Sequence, residues 1–369
     1  MEIQRTIYWS RDVGSVVPVD VWLGITQDRY SPGVREMCCR ESAGSDFRQA
    51  TEDLKRVGQI TLTHEMMRQV VEGEGRYAAA SQKSGTLGPQ WTAANCRHLP
   101  QEPTCMITGA DGVKVPLVTE IEKAKRRALR RRRGPKVRRR RQRIARGSDQ
   151  AYKEFKIVAF YDPSKDHQHV VGASGDHRVL GRLMRREAGR LKLNQADTKY
   201  SVTDGADWIR RQYQQQLPML DANVLDYYHL REHVIAASYR VFGEATPAAQ
   251  VWREQMMGVA MEHGPVQLLE EIGQLRRQMR AAIKRTALEA LQDYIAPRVE
   301  MLNYPQFKSK GYDIGSGPTE AHCKTLTARL KGPGMRWDRA NAEGMMALAS
   351  IRSSGLWNHY WRLRREAAA

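Results

Sequence analysis

Four acids in this sequence stand where side-chain chemistry is commonly organised. Asp111 in "ITGADGVKVP", Asp204 in "VTDGADWIRRQ" and Asp226 in "NVLDYYHLREHV" each close a strand-like run, and Glu320 in "GSGPTEAHCK" stands at a helix start. In sheets flanked by helices, ligands and catalytic groups collect just past the C-terminal ends of strands. Three carboxylates brought together repel one another unless cations screen them. A pair of Mg²⁺ ions about 4 Å apart does so, and the pair also activates a water or a 3′-hydroxyl against a phosphodiester.

Local reading leaves a second role open for each acid. Asp111 before Gly112 suits a turn, and Asp204 in "TDGAD" suits a turn or a helix cap that Asp207 would share. With Gly317 as N-cap and Pro318 at the first helical position, Glu320 falls at the third, where a carboxylate reaches back to the cap amide. Spacing alone does not separate capping from chemistry.

The charge distribution points to a polyanionic partner. The chain of 369 residues carries a net charge of +19, and the stretch from Lys123 to Arg146 holds 15 lysines and arginines and no acid. Such a block repels itself unless it meets nucleic acid or stays a solvated linker. With 41% apolar and 27% charged residues the chain can build a core, which excludes wholesale disorder. Five cysteines, including the vicinal pair Cys38 and Cys39, argue against a secreted disulfide framework. No CxxC pair supports a structural zinc site. With neither a signal peptide nor a run of about 18 apolar residues, the expectation is a soluble cytoplasmic protein with no membrane partner.

The elements that must position the acids follow from periodicity. Residues 1–30 form a short N-terminal segment whose one firm piece is strand-like "VVPVDVWLGI". Over 31–83, "SPGVREMCCRES", "SDFRQATEDLKRV" and "THEMMRQVVEGEG" each open on a capping residue and predict three helices. They fit a helix-turn-helix-like DNA-binding module and equally an ordinary small bundle. Residues 84–103, rich in Gly, Pro and polar residues, read as a linker. From 104 onward, "TCMITGADGVKVPLVT" predicts a hairpin turning at Asp111–Gly112, and a basic excursion spans 123–146. Strands and helices then alternate, predicting an α/β sheet with some parallel pairs. A helical segment at about 245–305 lies between the second and third acids, and two further helices close the chain.

The phrases "ITGADGVKVP", "YKEFKIVAFYD", "VTDGADWIRRQ", "LDYYHLREHV" and "IGSGPTEAHCKTLTARLKGPGMRW" stand in the order in which they recur in bacterial insertion-sequence transposases. The chain closely resembles the ISKra type, related to ISLre-type and Mutator-like DDE transposases, from about Ser31 to Trp361. The resemblance implies an RNase H-like catalytic domain over 104–369, with an all-α insertion between the second and third catalytic acids. It places the catalytic and metal-binding acids on Asp111, Asp204 and Glu320, with Mg²⁺ as cofactor and Mn²⁺ as substitute. The family's D-x-x-H element falls on Asp226 and His229, adding His229 beside the substrate phosphate. Relatives begin with a cysteine-paired zinc-ribbon-like segment, so without a CxxC the 1–30 segment is expected to be truncated or degenerate.

Under that resemblance the partner is double-stranded DNA, at element ends and target, bound by a homodimer or higher oligomer associated with the nucleoid. Phosphates would be tracked by Arg130, Arg131, Arg132 and Arg133, by Arg138, Arg139, Arg140 and Arg141, and by Arg210, Lys324, Arg329, Lys331 and Arg336. Trp337 would stack on an unpaired base or lie buried at a helix start. Two other classes stay in view. One is a decayed transposase acting as a DNA-binding regulator, and the other is an RNase H-like nuclease that cleaves without joining.

Overall fold

The computed structural model describes residues 5–25, 29–97, 101–132, 153–332 and 335–367. A hairpin of β1 (Tyr8–Ser10) and β2 (Gly14–Val16) precedes a six-residue helix, α1 (Pro18–Leu23). The strand expected over "VVPVDVWLGI" therefore stops at Val16. Pro18 has its φ already set for a first helical turn, and Gly24 at φ 64° ends that turn in the left-handed region.

Three helices follow where capping residues predicted them, α2 (Pro32–Ser42), α3 (Phe47–Gly58) and α4 (His64–Ser84). The side chains of Ser31, Asp46 and Thr63 accept backbone N–H bonds from Val34, from Arg48 and Gln49, and from Met66, which satisfies donors that a helix start leaves unpaired. These helices do not form a lobe of their own. Their inward residues, among them Cys39, Leu54, Met67 and Val71, belong to the same core as the main sheet and the last helices of the chain. The segment after α4 is likewise no free linker. Leu87, Ala93 and Cys96 are buried, and a 3₁₀ turn over Ala93–Asn95 is closed by reciprocal bonds between Thr92 and Asn95.

The main sheet has five strands in the order β5-β4-β3-β6-β7. They are β3 (Cys105–Val115), β4 (Lys153–Tyr161), β5 (Gln168–Ser174), β6 (Thr198–Thr203) and β7 (Ala222–Leu225), with α5 (Glu120–Arg132) after β3, α6 (His177–Arg190) after β5 and α7 (Asp207–Gln216) after β6. β3 pairs antiparallel with β4 and parallel with β6, so the sheet is mixed and the fold is mixed α/β. The hairpin expected at Asp111–Gly112 is absent. β3 runs straight through those residues, with Asp111 opposite Ile157, because β4 offers a partner along the whole strand and Gly112 keeps a negative φ where a tight hairpin would need a positive one. Side chains alternate as the pleat requires. Met106 and Ala110 face the layer of α6 and α7, whereas Ile107 and Val113 face the larger core.

After β7 come α8 (Tyr227–Phe242), then the helical segment α9 (Pro247–Glu262), α10 (Pro265–Gln278), α11 (Ala282–Ile295), a 3₁₀ stretch over Ala296–Leu302 and α12 (Tyr304–Ser309). The chain closes with α13 (Gly317–Lys331), α14 (Arg339–Ser353) and α15 (Trp357–Glu366). No helix among the described residues is long and apolar enough to cross a membrane.

α4 and α14 cross at two glycines. A Cβ on Gly75 would lie 2.9 Å from the backbone of Gly344, whereas one on Gly73 would meet nothing within 4 Å. Gly73→Ala should therefore stabilise the protein by about 0.5–1 kcal/mol through helix propensity. Gly75→Ala should destabilise it by about 1–3 kcal/mol, because the helices must separate. Urea unfolding of the two variants measures both signs, and a stabilising Gly75→Ala would contradict the crossing.

Candidate active site

Asp111, Asp204, Glu320 and His229 line one cleft of about 410 Å³, together with Lys114, Glu232, Ser316, Thr319, Cys323, Lys324 and Lys331. The cleft exists because β3 outruns its parallel neighbour. The last β3–β6 pair is Thr108 with Ser201, so Asp111 lies on the central strand beyond that pairing, near where β6 ends and Asp204 begins a loop.

Asp111 is half-buried and accepts the Gly112 N–H at 2.6 Å. Burial raises its pKa above the usual carboxylate range, and the charge of Asp204 pushes the same way. The Gly112 amide, the Cys323 thiol and His229 pull it back. Cys323, one turn after Glu320, has its own thiol pKa pushed up by burial and then by Asp111.

Asp204 is a turn former, not a helix cap. Its Oδ1 accepts the Ala206 N–H at 2.9 Å, and Ala206 takes the cap position before Asp207. Gly205 turns at φ 69°, where a Cβ would strike Leu225 and Arg298. The helical segment holds this loop from outside. Arg298 Nε donates to the Gly205 carbonyl at 2.8 Å, Tyr294 Oη donates to the Asp204 carbonyl at 3.4 Å, and Arg298 pairs with Asp207 at 3.3 Å. The Tyr294 ring stacks on His233 at 3.6 Å, which ties the same segment to α8.

Glu320 stands one position further into its helix than the sequence suggested. Ser316 is the N-cap, so Glu320 is the fourth helical residue, and its N–H bonds back to the Ser316 carbonyl at 3.1 Å. The amide that a capping carboxylate would accept from, that of Ser316, instead donates to Asp226 Oδ2. Glu320 is left with a 3.4 Å bond from Ser316 Oγ and a 3.8 Å contact to Lys324, and its side chain is 46% exposed to the cleft. Its helix lies hard against β3 because Gly109 has no side chain; a Cβ there would collide with Thr319.

Asp226 is not in the cleft but beneath it. Only 1% exposed, it caps α8 by accepting the His229 N–H at 2.9 Å, which leaves the His229 ring to face the acids.

The basic residues divide. Lys324 and Lys331 line the cleft, and the Lys324 side chain is 81% exposed. Arg329 is buried. Its Nε donates to the Ser42 carbonyl at 3.1 Å, and its guanidinium stands 5.0 Å from the Phe47 ring and 5.2 Å from the Trp337 ring, so it joins α13 to the first helices and meets no surface. Arg210 donates to the Pro297 carbonyl and pairs with Asp207, holding α7 to the helical segment. Arg336 is half-buried beside Trp337, which is itself buried edge-on to Phe47. Arg133 and Arg138 to Arg141 lie outside the described residues, as do the side chains of Arg130, Arg131 and Arg132. Sequence reading missed Lys114 and Glu232 in the cleft. Glu232, one helical turn after His229, had a signal in its spacing.

The donor set suits a hard divalent cation, since Mg²⁺ takes carboxylate oxygens and the half-buried Asp111 has its pKa raised first by burial and then by the charge of Asp204. The oxygens of Asp111, Asp204 and Glu320 share the cleft but do not all lie within 4.8 Å of one another. The group of potential ligands whose donor atoms all lie within 4.8 Å, among the described residues, is Cys96, Asp162 and His167. No protein-family model and no curated protein matches this chain.

A carboxyl with a raised folded pKa holds its proton more tightly folded than unfolded, so stability falls as pH rises from the ordinary carboxylate range through the raised value. In metal-free buffer Asp111→Asn should melt higher than the parent at neutral pH, and the advantage should shrink on acidification through that window. Thermal melts across the range measure it; an advantage independent of pH would contradict the assignment.

Proposed function

We propose that this protein is a DDE-type DNA transposase with an RNase H-like catalytic domain, acting at the ends of an insertion sequence. The observation that carries the reading is that Asp111, Asp204 and Glu320, from three separate parts of the chain, line one cleft with three lysines. The sheet order supports it. Three antiparallel strands continue into two parallel ones, with the first acid on the central strand, the second just after its parallel neighbour, and a helical insertion before the third.

In this mechanism Asp111, Asp204 and Glu320 would hold the metal. Mg²⁺ bound there supplies the activation of a water or a 3′-hydroxyl and the stabilisation of the leaving oxygen. Lys324 and Lys331 hold phosphates at the cleft rim, and Lys114 does so from β3. The His229 ring, on a residue whose backbone N–H Asp226 caps, stands beside the acids to donate to a phosphate oxygen or take up a proton. DNA is the substrate class because three lysines beside the acids and a dense arginine block along the chain can track backbone phosphates without reading bases. Cutting two ends together makes a dimer the natural working unit.

Strand transfer of a pre-cut element end with Mg²⁺ or Mn²⁺ tests this. The parent should join the 3′-hydroxyl to target DNA, while Asp204→Asn and Glu320→Gln should fall to the level of a protein-free control yet remain folded. Unchanged joining by Asp204→Asn refutes the triad. Binding of ends without any cutting by the parent favours a regulator, and cutting without joining favours a nuclease.

The lysines make a separate test. Replacing Lys324 or Lys331 by Ser should weaken binding to all DNA about equally and reduce the slope of log K against log salt by about 1 for each residue. Loss of preference for element ends alone would assign them to sequence reading instead.

A further inference from the structure

The end of the sheet away from the acids carries a second cluster that the proposed activity does not use. β3 begins at Cys105 and β4 ends at Tyr161, and there the Sγ of Cys96, a carboxylate oxygen of Asp162 and a ring nitrogen of His167 all lie within 4.8 Å of one another. We propose that Cys96, Asp162 and His167 bind a zinc-class divalent transition metal that fastens the segment after α4 to the β4–β5 turn. This does not rest on the transposase reading.

Each ligand is set by its own backbone. Asp162 and His167 close the β4–β5 turn: the Asp162 N–H donates to the His167 carbonyl at 3.2 Å, and the His167 N–H donates to Asp162 Oδ1 at 3.1 Å. Lys165, at φ 66°, makes the turn between them tight enough to bring the two side chains face to face, with His167 Nδ1 2.9 Å from Asp162 Oδ2. Cys96 follows the 3₁₀ turn closed by Thr92 and Asn95, and its carbonyl accepts the Cys105 N–H at 3.0 Å, which pins it to the start of β3. The ring of Trp91 packs 5.4 Å from that of His167. Cys96 and Asp162 are 2% and 3% exposed, so the site is dry on two sides and open on the half-exposed histidine side.

The donor types choose the metal. Sulfur, nitrogen and a single carboxylate suit Zn²⁺ or Co²⁺, whereas Mg²⁺ takes oxygen alone, so this site and the acid cleft select different ions. Three protein ligands leave one position of a tetrahedral ion for water. Binding expels the Cys96 thiol proton to solvent, and the imidazole proton shared with Asp162 moves to the other ring nitrogen, so one proton is released per ion.

Co²⁺ titration of the chelator-treated full chain tests the site through its absorption, which carries a thiolate-to-metal charge-transfer band only when sulfur is a ligand. One Co²⁺ per chain should give that band, and Zn²⁺ should abolish it by displacement. The Asp111→Asn, Glu320→Gln double variant, which lacks the acid cleft's ligands, should keep it. Cys96→Ser should lose it, and His167→Gln should bind more than about a hundredfold more weakly, beyond the cost of changing a residue that only supports a ligand. Absence of the band in the parent, or its persistence in Cys96→Ser, overturns the proposal. If Cys96→Ser does not fold, His167→Gln decides, and unchanged affinity there overturns it.

Discussion

The buried carboxylate of Asp226 is the joint on which the cleft depends. A charge taken out of water is tolerated only when its lone pairs are met by donors, and here they are met by the N–H groups of His229 and Ser316. Its own N–H donates to Thr203, the residue before Asp204, at 2.7 Å. One side chain and its backbone therefore bind the end of β6, the start of α8 and the start of α13, the three places from which Asp204, His229 and Glu320 reach the cleft. By occupying the Ser316 amide it also removes the capping role that would otherwise have held Glu320 against its own helix end.

The rest of the molecule makes that joint rigid. Glu74 is a second buried acid, paired with Arg35 at 3.2 Å and Arg364 at 2.8 Å and bonded by Tyr360 at 2.8 Å, so the first helices and the last close on each other around it. Arg329 does similar service from α13, reaching the Ser42 carbonyl between two aromatic rings. Together they explain why the helical module expected to stand apart shares the core of the sheet. The helical insertion is equally engaged, since Arg298 and Tyr294 hold the loop that carries Asp204. An element that looks like an excursion in sequence is a wall of the site.

Local rules read well where the cause was local. Ser31 and Thr63 announced their helices because a cap bonds amides two or three residues away, and the helix announced by Ser45 is capped one residue on, by Asp46. The strands around Asp111 and Asp204 were legible from alternation and apolar runs, although the supposed Asp111–Gly112 turn was a strand interior. That error has a physical source, because whether a glycine turns or extends here depended on β4, more than forty residues on, offering a ladder partner. The basic residues failed the same way. Arg329 and Lys324 look alike in sequence, and only packing sent one into the core and left the other in the cleft.

The sequence by itself determined the dense positive charge, the capped helices, the strand-like runs and the identity of the acids, since these follow from residue type and from neighbours a few positions away. Tertiary structure alone decided that Asp111, Asp204, Glu320 and His229 line one cleft, that Asp226 braces it, and that Cys96 meets Asp162 and His167 at the far end of the sheet. Those meetings are between residues separated by tens to hundreds of positions, and no periodicity records them. They arise because a mixed sheet lays β3 between β4 and β6, and that pairing, not spacing along the chain, sets which side chains share a space.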